Sequence, residues 1–229
     1  MFSRITPTLR ESVFGIAGLT HITPNQIKAS NGTGFMIAPG VIVTVAHVLH
    51  LDSDFHKPTH TSFVAIRAPE IGKPPKPAIL IAQDADLDVA FLRIASAGGT
   101  PVKLASETLP LGTSCGALGF PLAHITFSGT EPTFNLIERF QGAHISAFHA
   151  EPHGQNLIHF YETDVLMYPG ASGSPGFLLD GRVFGMHRAS VMQGMQDGGE
   201  QRAAISLWIA AADIIAFAAE QGIEIAASH

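Results

Sequence analysis

Three short segments carry residue types whose chemistry fits together. Pro169-Gly-Ala-Ser172-Gly-Ser-Pro175 sets a serine among glycines. A serine hydroxyl is a weak nucleophile until a base takes its proton. The carbonyl it attacks also needs hydrogen-bond donors for the oxyanion that forms. With glycine two residues before the serine, a tight loop lets the backbone N–H groups of Gly170 and Ser172 aim at one point. Gly173 lets the chain pass close to neighbouring backbone. The same composition also makes a surface turn. Val41-Ile-Val-Thr-Val-Ala-His47 is a β-branched run ending in a histidine, where a neutral ring on a rigid element is able to act as general base. Alone, such a histidine reads first as a satisfied, half-buried strand-end residue. Asp84-Ala-Asp86-Leu-Asp88-Val-Ala-Phe-Leu places three acids before an apolar run. Asp88 enters that run directly and is the candidate to fix the tautomer of an imidazole. Asp84 and Asp86 read as turn residues.

Other clusters carry less. His56 and His60 have the spacing of a helical metal pair, but Pro58 between them disfavours a helix, and no glutamate stands between them as in the zinc-protease motif. No metal and no cofactor is expected. Cys115 is the one cysteine. It excludes an intramolecular disulfide and reads as a small buried apolar residue.

The elements that must position these residues are mostly strands. The expected ones are Val13 to Thr20, Gly34 to Ile37, Val41 to Val45, Ser62 to Arg67, Ala78 to Gln83 and Val89 to Ile94. A soft stretch over 95–110 reads as a linker. Strands resume at Ser114 to Gly119, Phe134 to Phe140, Ala143 to Phe148, Leu157 to Glu162, Gly176 to Leu179, Val183 to His187 and Arg202 to Ile205. One helix is expected over 206–221, with Ser206 as its cap and Gly222 as its stop. So many strands with one terminal helix predict two packed antiparallel barrels, an all-β fold closed by a C-terminal α-helix.

Composition narrows the classes. The chain has 229 residues, 46% of them hydrophobic and 14% charged, with a formal net charge of -6. That is enough apolar surface for a sizeable core. The acidic balance gives no general attraction to phosphate, so no nucleic acid is expected as partner. No stretch reaches the length of a membrane span, since the run Leu207 to Ala219 is short and holds Asp213. Val13 to Leu19 is short, broken by glycines and preceded by Glu11, unlike a secretory leader. A cytoplasmic chain with no membrane partner is the expectation.

Taken together, the three segments resemble the chymotrypsin-like serine peptidases, in that family's order His, Asp, Ser. Thr44-Val-Ala-His47 is similar to its Thr-Ala-Ala-His block. Asp88-Val-Ala-Phe-Leu is similar to Asp-Leu-Ala-Leu-Leu, and Gly170-Ala-Ser172-Gly-Ser-Pro to Gly-Asn-Ser-Gly-Ser-Pro. Gly32-Thr-Gly-Phe35, Gly119-Phe-Pro121 and Asp180-Gly-Arg-Val-Phe-Gly-Met-His187 resemble supporting blocks. The likeness spans about residues 12–221 and favours the bacterial, cystine-free branch of glutamyl endopeptidases and Deg-type protease domains, because Val48 stands where animal members carry a disulfide cysteine. It implies one peptidase domain over 1–229, with Greek-key barrels over about 12–97 and 98–205 before the helix. It also implies a triad of His47, Asp88 and Ser172, an oxyanion hole from the Gly170 and Ser172 amides, and a peptide or protein substrate. The substrate pocket would be lined by His187, Ser190, Leu166 and Met167. Gly185-Met-His187 is similar to the Gly-Ile-His of members that cleave after Glu or Gln, although His187 reads equally as a strand residue with a local partner. Ala171 stands where zymogen-type members have an aspartate, so activation through an ion pair there is not expected. A silent or partner-activated binding module on the same fold is the competing implication.

Overall fold

The computed structural model describes residues 2–23, 26–52, 55, 58–95, 98–128, 131–153, 156–194 and 200–225. Chain entry is a short helix, α1 (Thr6–Arg10), whose Leu9 is buried. Six strands follow: β1 (Val13–Thr23), β2 (Gln26–Ala38), β3 (Val41–Thr44), β4 (Ser62–Arg67), β5 (Lys76–Asp84) and β6 (Val89–Arg93). They close into a barrel in the order β1-β2-β3-β6-β5-β4, every pair antiparallel. The β2–β3 turn depends on Gly40, whose φ of 71° is open to glycine at little cost. All four residues of β3 are buried, so this strand is covered on both faces, and its β-branched sequence fits that setting.

The second barrel repeats the plan with β7 (Ser114–Gly119), β10 (Arg139–His153), β11 (Asn156–Thr163), β12 (Pro175–Leu178), β13 (Val183–Gly194) and β14 (Glu200–Ala210). Its order, β7-β10-β11-β14-β13-β12, matches that of the first barrel position for position. Between β7 and β10 stands a separate hairpin, β8 (His124–Ser128) with β9 (Glu131–Asn135). The chain ends in α2 (Ala211–Glu220). One apolar cluster runs through both barrels, joining Phe35 and Phe91 to Phe120 and Phe177. A second cluster fills the far barrel around Tyr161, Phe184 and Trp208. No helix among the described residues is long and apolar enough to cross a membrane.

The all-β double barrel with a terminal helix is as the sequence predicts, with two local corrections. The helix expected over 206–221 begins only at Ala211. Ser206 to Ala210 instead complete β14, pairing with β11 on one side and β13 on the other. The run Ser206-Leu-Trp-Ile-Ala suits a strand with two neighbours, and the buried Ser206 hydroxyl, rather than capping a helix, donates to the carbonyl of Val165 at 2.7 Å. The strand expected over Phe134 to Phe140 is split: β9 ends at Asn135 and β10 starts at Arg139. Residues 96–97 of the expected linker and His56 of the histidine pair lie outside the described residues. His60 is buried, with Thr20 Oγ1 at 3.0 Å from its Nδ1.

Candidate active site

His47 sits in a single 3-10 turn, Ala46–Leu49, directly after β3. The strand is buried and rigid, so the ring is presented from a fixed base. Asp88 precedes β6 with φ at 59°, a left-handed conformation that aspartate tolerates better than most residues. That backbone turn points a buried carboxylate back across β3. Oδ1 accepts the His47 backbone N–H at 2.9 Å, and Oδ2 lies 2.8 Å from His47 Nδ1. The two bonds fix both the ring and its tautomer, leaving Nε2 for the cleft.

The cleft encloses about 490 Å³ between the barrels, and its wall includes His47, Asp88 and Ser172. Among the described residues, no hydrogen bond joins the Ser172 hydroxyl to His47, although both line the same cleft. The loop carrying Ser172 is stitched to β13 by two backbone bonds, Gly173 N–H to His187 O at 2.8 Å and His187 N–H to Ser174 O at 2.9 Å. Gly173 is obligatory here: with φ at 87°, an added Cβ would stand 1.9 Å from the carbonyl oxygen of Thr33.

The amides of this loop divide into two kinds. Ala171 N–H bonds to Tyr168 O and Ser174 N–H to Ala171 O. Among the described residues, those of Gly170 and Ser172 have no acceptor. The carbonyl of Pro169 receives the Leu122 N–H at 2.6 Å. Since a trans peptide sets its N–H opposite its C=O, the Gly170 N–H must point away from Leu122. Two unengaged donors beside a serine hydroxyl are what an oxyanion requires.

The residues expected around a substrate pocket fare differently. His187 is buried against the Trp208 ring, 5.1 Å between centroids, and borders the cleft. Burial, reinforced by the positive field of Arg202, pushes its pKa down to about 3, so the ring is neutral. Neither ring nitrogen has a hydrogen-bond partner of good geometry, although backbone of Ala171 and Ala189 lies close by. Ser190 borders the cleft, and its hydroxyl donates to Met167 O at 2.9 Å. Met167 is a wall residue, but Leu166 is not among those lining the cleft; its carbonyl instead accepts from Gln141 at 2.9 Å. Cys115 is buried, and desolvation pushes its thiol up to about 12, leaving it inert near neutrality.

Two arginines in the cleft wall were not legible beforehand. Arg188 Nε lies 3.4 Å from Asp88 Oδ2, with its guanidinium 5.4 Å from the centre of the Phe160 ring. Strict strand alternation would turn Arg188 away from the face that His187 occupies. A bulge in β13 between His187 and Ala189 brings both to the cleft. Arg202, on β14, donates to Met167 O at 3.4 Å. Neither carried a distinguishing sequence signal: Arg202 follows Glu200 and Gln201, and Arg188 stands between His187 and Ser190 in a strand of mixed polarity.

Comparison with known proteins identifies the family and the fold. The model of the trypsin-like peptidase domain family matches residues 32–186. The mitochondrial serine protease HTRA2 of Drosophila pseudoobscura pseudoobscura is 34% identical over 183 residues, covering 76% of this chain and 38% of its own. A probable periplasmic DegP-like serine endoprotease of Chlamydia pneumoniae is 29% identical over 176 residues, covering 73% and 30% respectively. The chain thus spans well under half the length of these relatives. The crystal structure of the Rv3671c protease from M. tuberculosis in its active form superposes with a TM-score of 0.67 at 21% identity, over 98% of this chain and 86% of that one. At that identity the likeness speaks for the fold.

Proposed function

The chain belongs to the trypsin-like peptidase domain family, and from that footing we propose that it is a serine endopeptidase working through an acyl-enzyme. Ser172 attacks the peptide carbonyl while His47 Nε2 takes its proton, and Asp88 holds the ring and stabilises the imidazolium. The Gly170 and Ser172 amides receive the oxyanion. His47 then returns the proton to the leaving amine, and water releases the acyl group by the reverse sequence. The observation that carries the reading is the meeting, in one cleft, of Ser172 with a histidine clamped by Asp88 through two hydrogen bonds.

A preference for Glu or Gln before the scissile bond is supported by His187, a neutral ring with unpartnered nitrogens at the cleft wall. A side-chain carboxylate or amide would satisfy it, and Arg188 and Arg202 favour acidic peptides over basic ones. The competing reading is a silent or partner-activated binding module on the same fold, since a fold alone does not fix activity.

A fluorophosphonate probe should label the wild-type serine and leave Ser172→Ala unlabelled, with peptide hydrolysis falling about a million-fold. Profiling on a peptide library should then return Glu or Gln before the cut. Absence of labelling in every condition would leave only the binding module. Labelling that requires an added protein or peptide would favour the partner-activated form.

A further inference from the structure

We propose that Thr33 is a positioning residue for the oxyanion loop, reaching from the first barrel to hold the 170–171 and 172–173 peptide planes that flank the Ser172 amide, so that the loop keeps the shape in which the Gly170 and Ser172 amides stay free. The inference rests on the reading of Ser172 as nucleophile and adds what keeps its loop in working order.

Thr33 lies on β2 and is fully buried. All its hydrogen-bonding groups are engaged, and nearly all of them at the site. Its N–H donates to Ser172 O at 2.8 Å. Its hydroxyl donates to Gly170 O at 2.9 Å and accepts the Phe120 N–H at 3.1 Å. Its carbonyl accepts from the Thr44 hydroxyl at 2.7 Å, three residues before His47. One residue therefore ties together the loop of the nucleophile, the strand before the base and the turn after β7.

The carbonyls of the loop show why this matters. Pro169 O is held by the Leu122 N–H and Ala171 O by the Ser174 N–H, while Gly170 O and Ser172 O are both held by Thr33. Because each peptide is planar and trans, fixing a carbonyl fixes the N–H of the following residue: the Leu122 and Ser174 bonds set the Gly170 and Ser172 amides, and Thr33 holds the alternate planes, 170–171 and 172–173, on either side of the one that carries the Ser172 N–H. The loop has hinges on which to turn: Gly170 and Gly173 have φ of 90° and 87°, where glycine rotates at little cost. Ala171, between them, has no polar side chain with which to hold the loop. The Thr33 hydroxyl on Gly170 O and the Tyr168 carbonyl on the Ala171 N–H clamp the 170–171 peptide from both sides. Without it, the buried Gly170 carbonyl and the Phe120 N–H would both be left unpaired, a state that drives local rearrangement. The contact is also tight, since an added Cβ on Gly173 would overlap Thr33 O.

The test uses fluorophosphonate labelling, because the phosphoryl oxygen of the probe occupies the same two-amide site as an oxyanion. Thr33→Val keeps the shape and removes the donor. Its limiting labelling rate should fall roughly 10- to 100-fold, with the half-saturating probe concentration within about twofold of wild type. Thr33→Ser, which restores the hydroxyl, should recover the rate to within about threefold. A residue that served stability alone would lower the urea midpoint and leave the limiting rate of the folded protein unchanged. A folded valine variant that labels at the wild-type rate, or a serine variant no faster than valine, overturns the proposal. If the valine variant does not fold, Thr33→Ala against Thr33→Ser decides it: equal rates overturn the role, and a slow alanine variant with a fast serine variant supports it. A wild type that never labels fails at the nucleophile. A wild type that labels while the hydroxyl proves dispensable fails at Thr33 alone.

Discussion

At the scale of single residues, the site depends on groups whose surroundings override their usual behaviour. His187 is held neutral by burial, with its pKa pushed down to about 3. His60 is pushed down to about 4, again mainly by burial, with Lys28 and His50 adding repulsion. In the unfolded chain both would protonate near pH 6.5. As pH falls below that value, the unfolded state takes up protons that the native state refuses, so stability declines. Above pH 6.5 both rings are neutral in either state and contribute no slope. The unfolding free energy should therefore fall from pH 6.5 towards pH 4.5, before most carboxylates titrate, by up to about 1.4 kcal/mol per pH unit for each ring, and the urea midpoint with it. A midpoint flat from pH 7 to 5 would show that these rings are solvated. The candidates for the chemistry could be named from the sequence because each sits in a local block: a strand end for His47, a turn into a strand for Asp88, a glycine-flanked loop for Ser172. Arg188 could not, because a bulge rather than the strand period decides where it faces.

At the scale of elements, α2 does more than end the chain. Ile214, Phe217 and Ala218 form its buried face, and the Phe217 ring stacks on Phe91 of β6 with centroids 5.0 Å apart. A helix that continues directly from β14 of the second barrel thus packs on the first. Phe217→Ala should cost about 3 kcal/mol through lost burial and an unfilled cavity, read as a lower urea midpoint at unchanged slope. A change below about 0.5 kcal/mol would mean that the helix contributes little. Strand existence was mostly evident from β-branched runs and turn residues. The β8–β9 hairpin was not, because His124-Ile-Thr-Phe-Ser128 is short and half polar. The start of α2 was misplaced because Leu207 to Ala210 fit a helix stripe and a buried strand equally well. Only pairing with β11 and β13 distinguishes the two.

At the scale of the whole molecule, the barrels share an apolar cluster as well as a cleft. They are expected to unfold as one unit. Trp208, the single tryptophan, is buried in the second barrel with its Nε1 donating to Thr163 at 2.8 Å. Its fluorescence reports that barrel, whereas far-ultraviolet circular dichroism reports all the strands. The two urea transitions should coincide. Separated midpoints would show that the barrels are independent and that the cleft between them is held only by its loops.

The sequence by itself determined the kind of fold and named the candidate reactive groups, because both are written in short-range terms: residue type, period and the glycines a tight loop demands. The tertiary structure alone decided how those groups are held. Asp88 lies 41 positions from His47, Arg188 lies 100 from Asp88, and the Thr33 hydroxyl reaches Gly170 across 137. Such pairs form when barrels close and pack, and barrel closure leaves no spacing in the chain from which to read them.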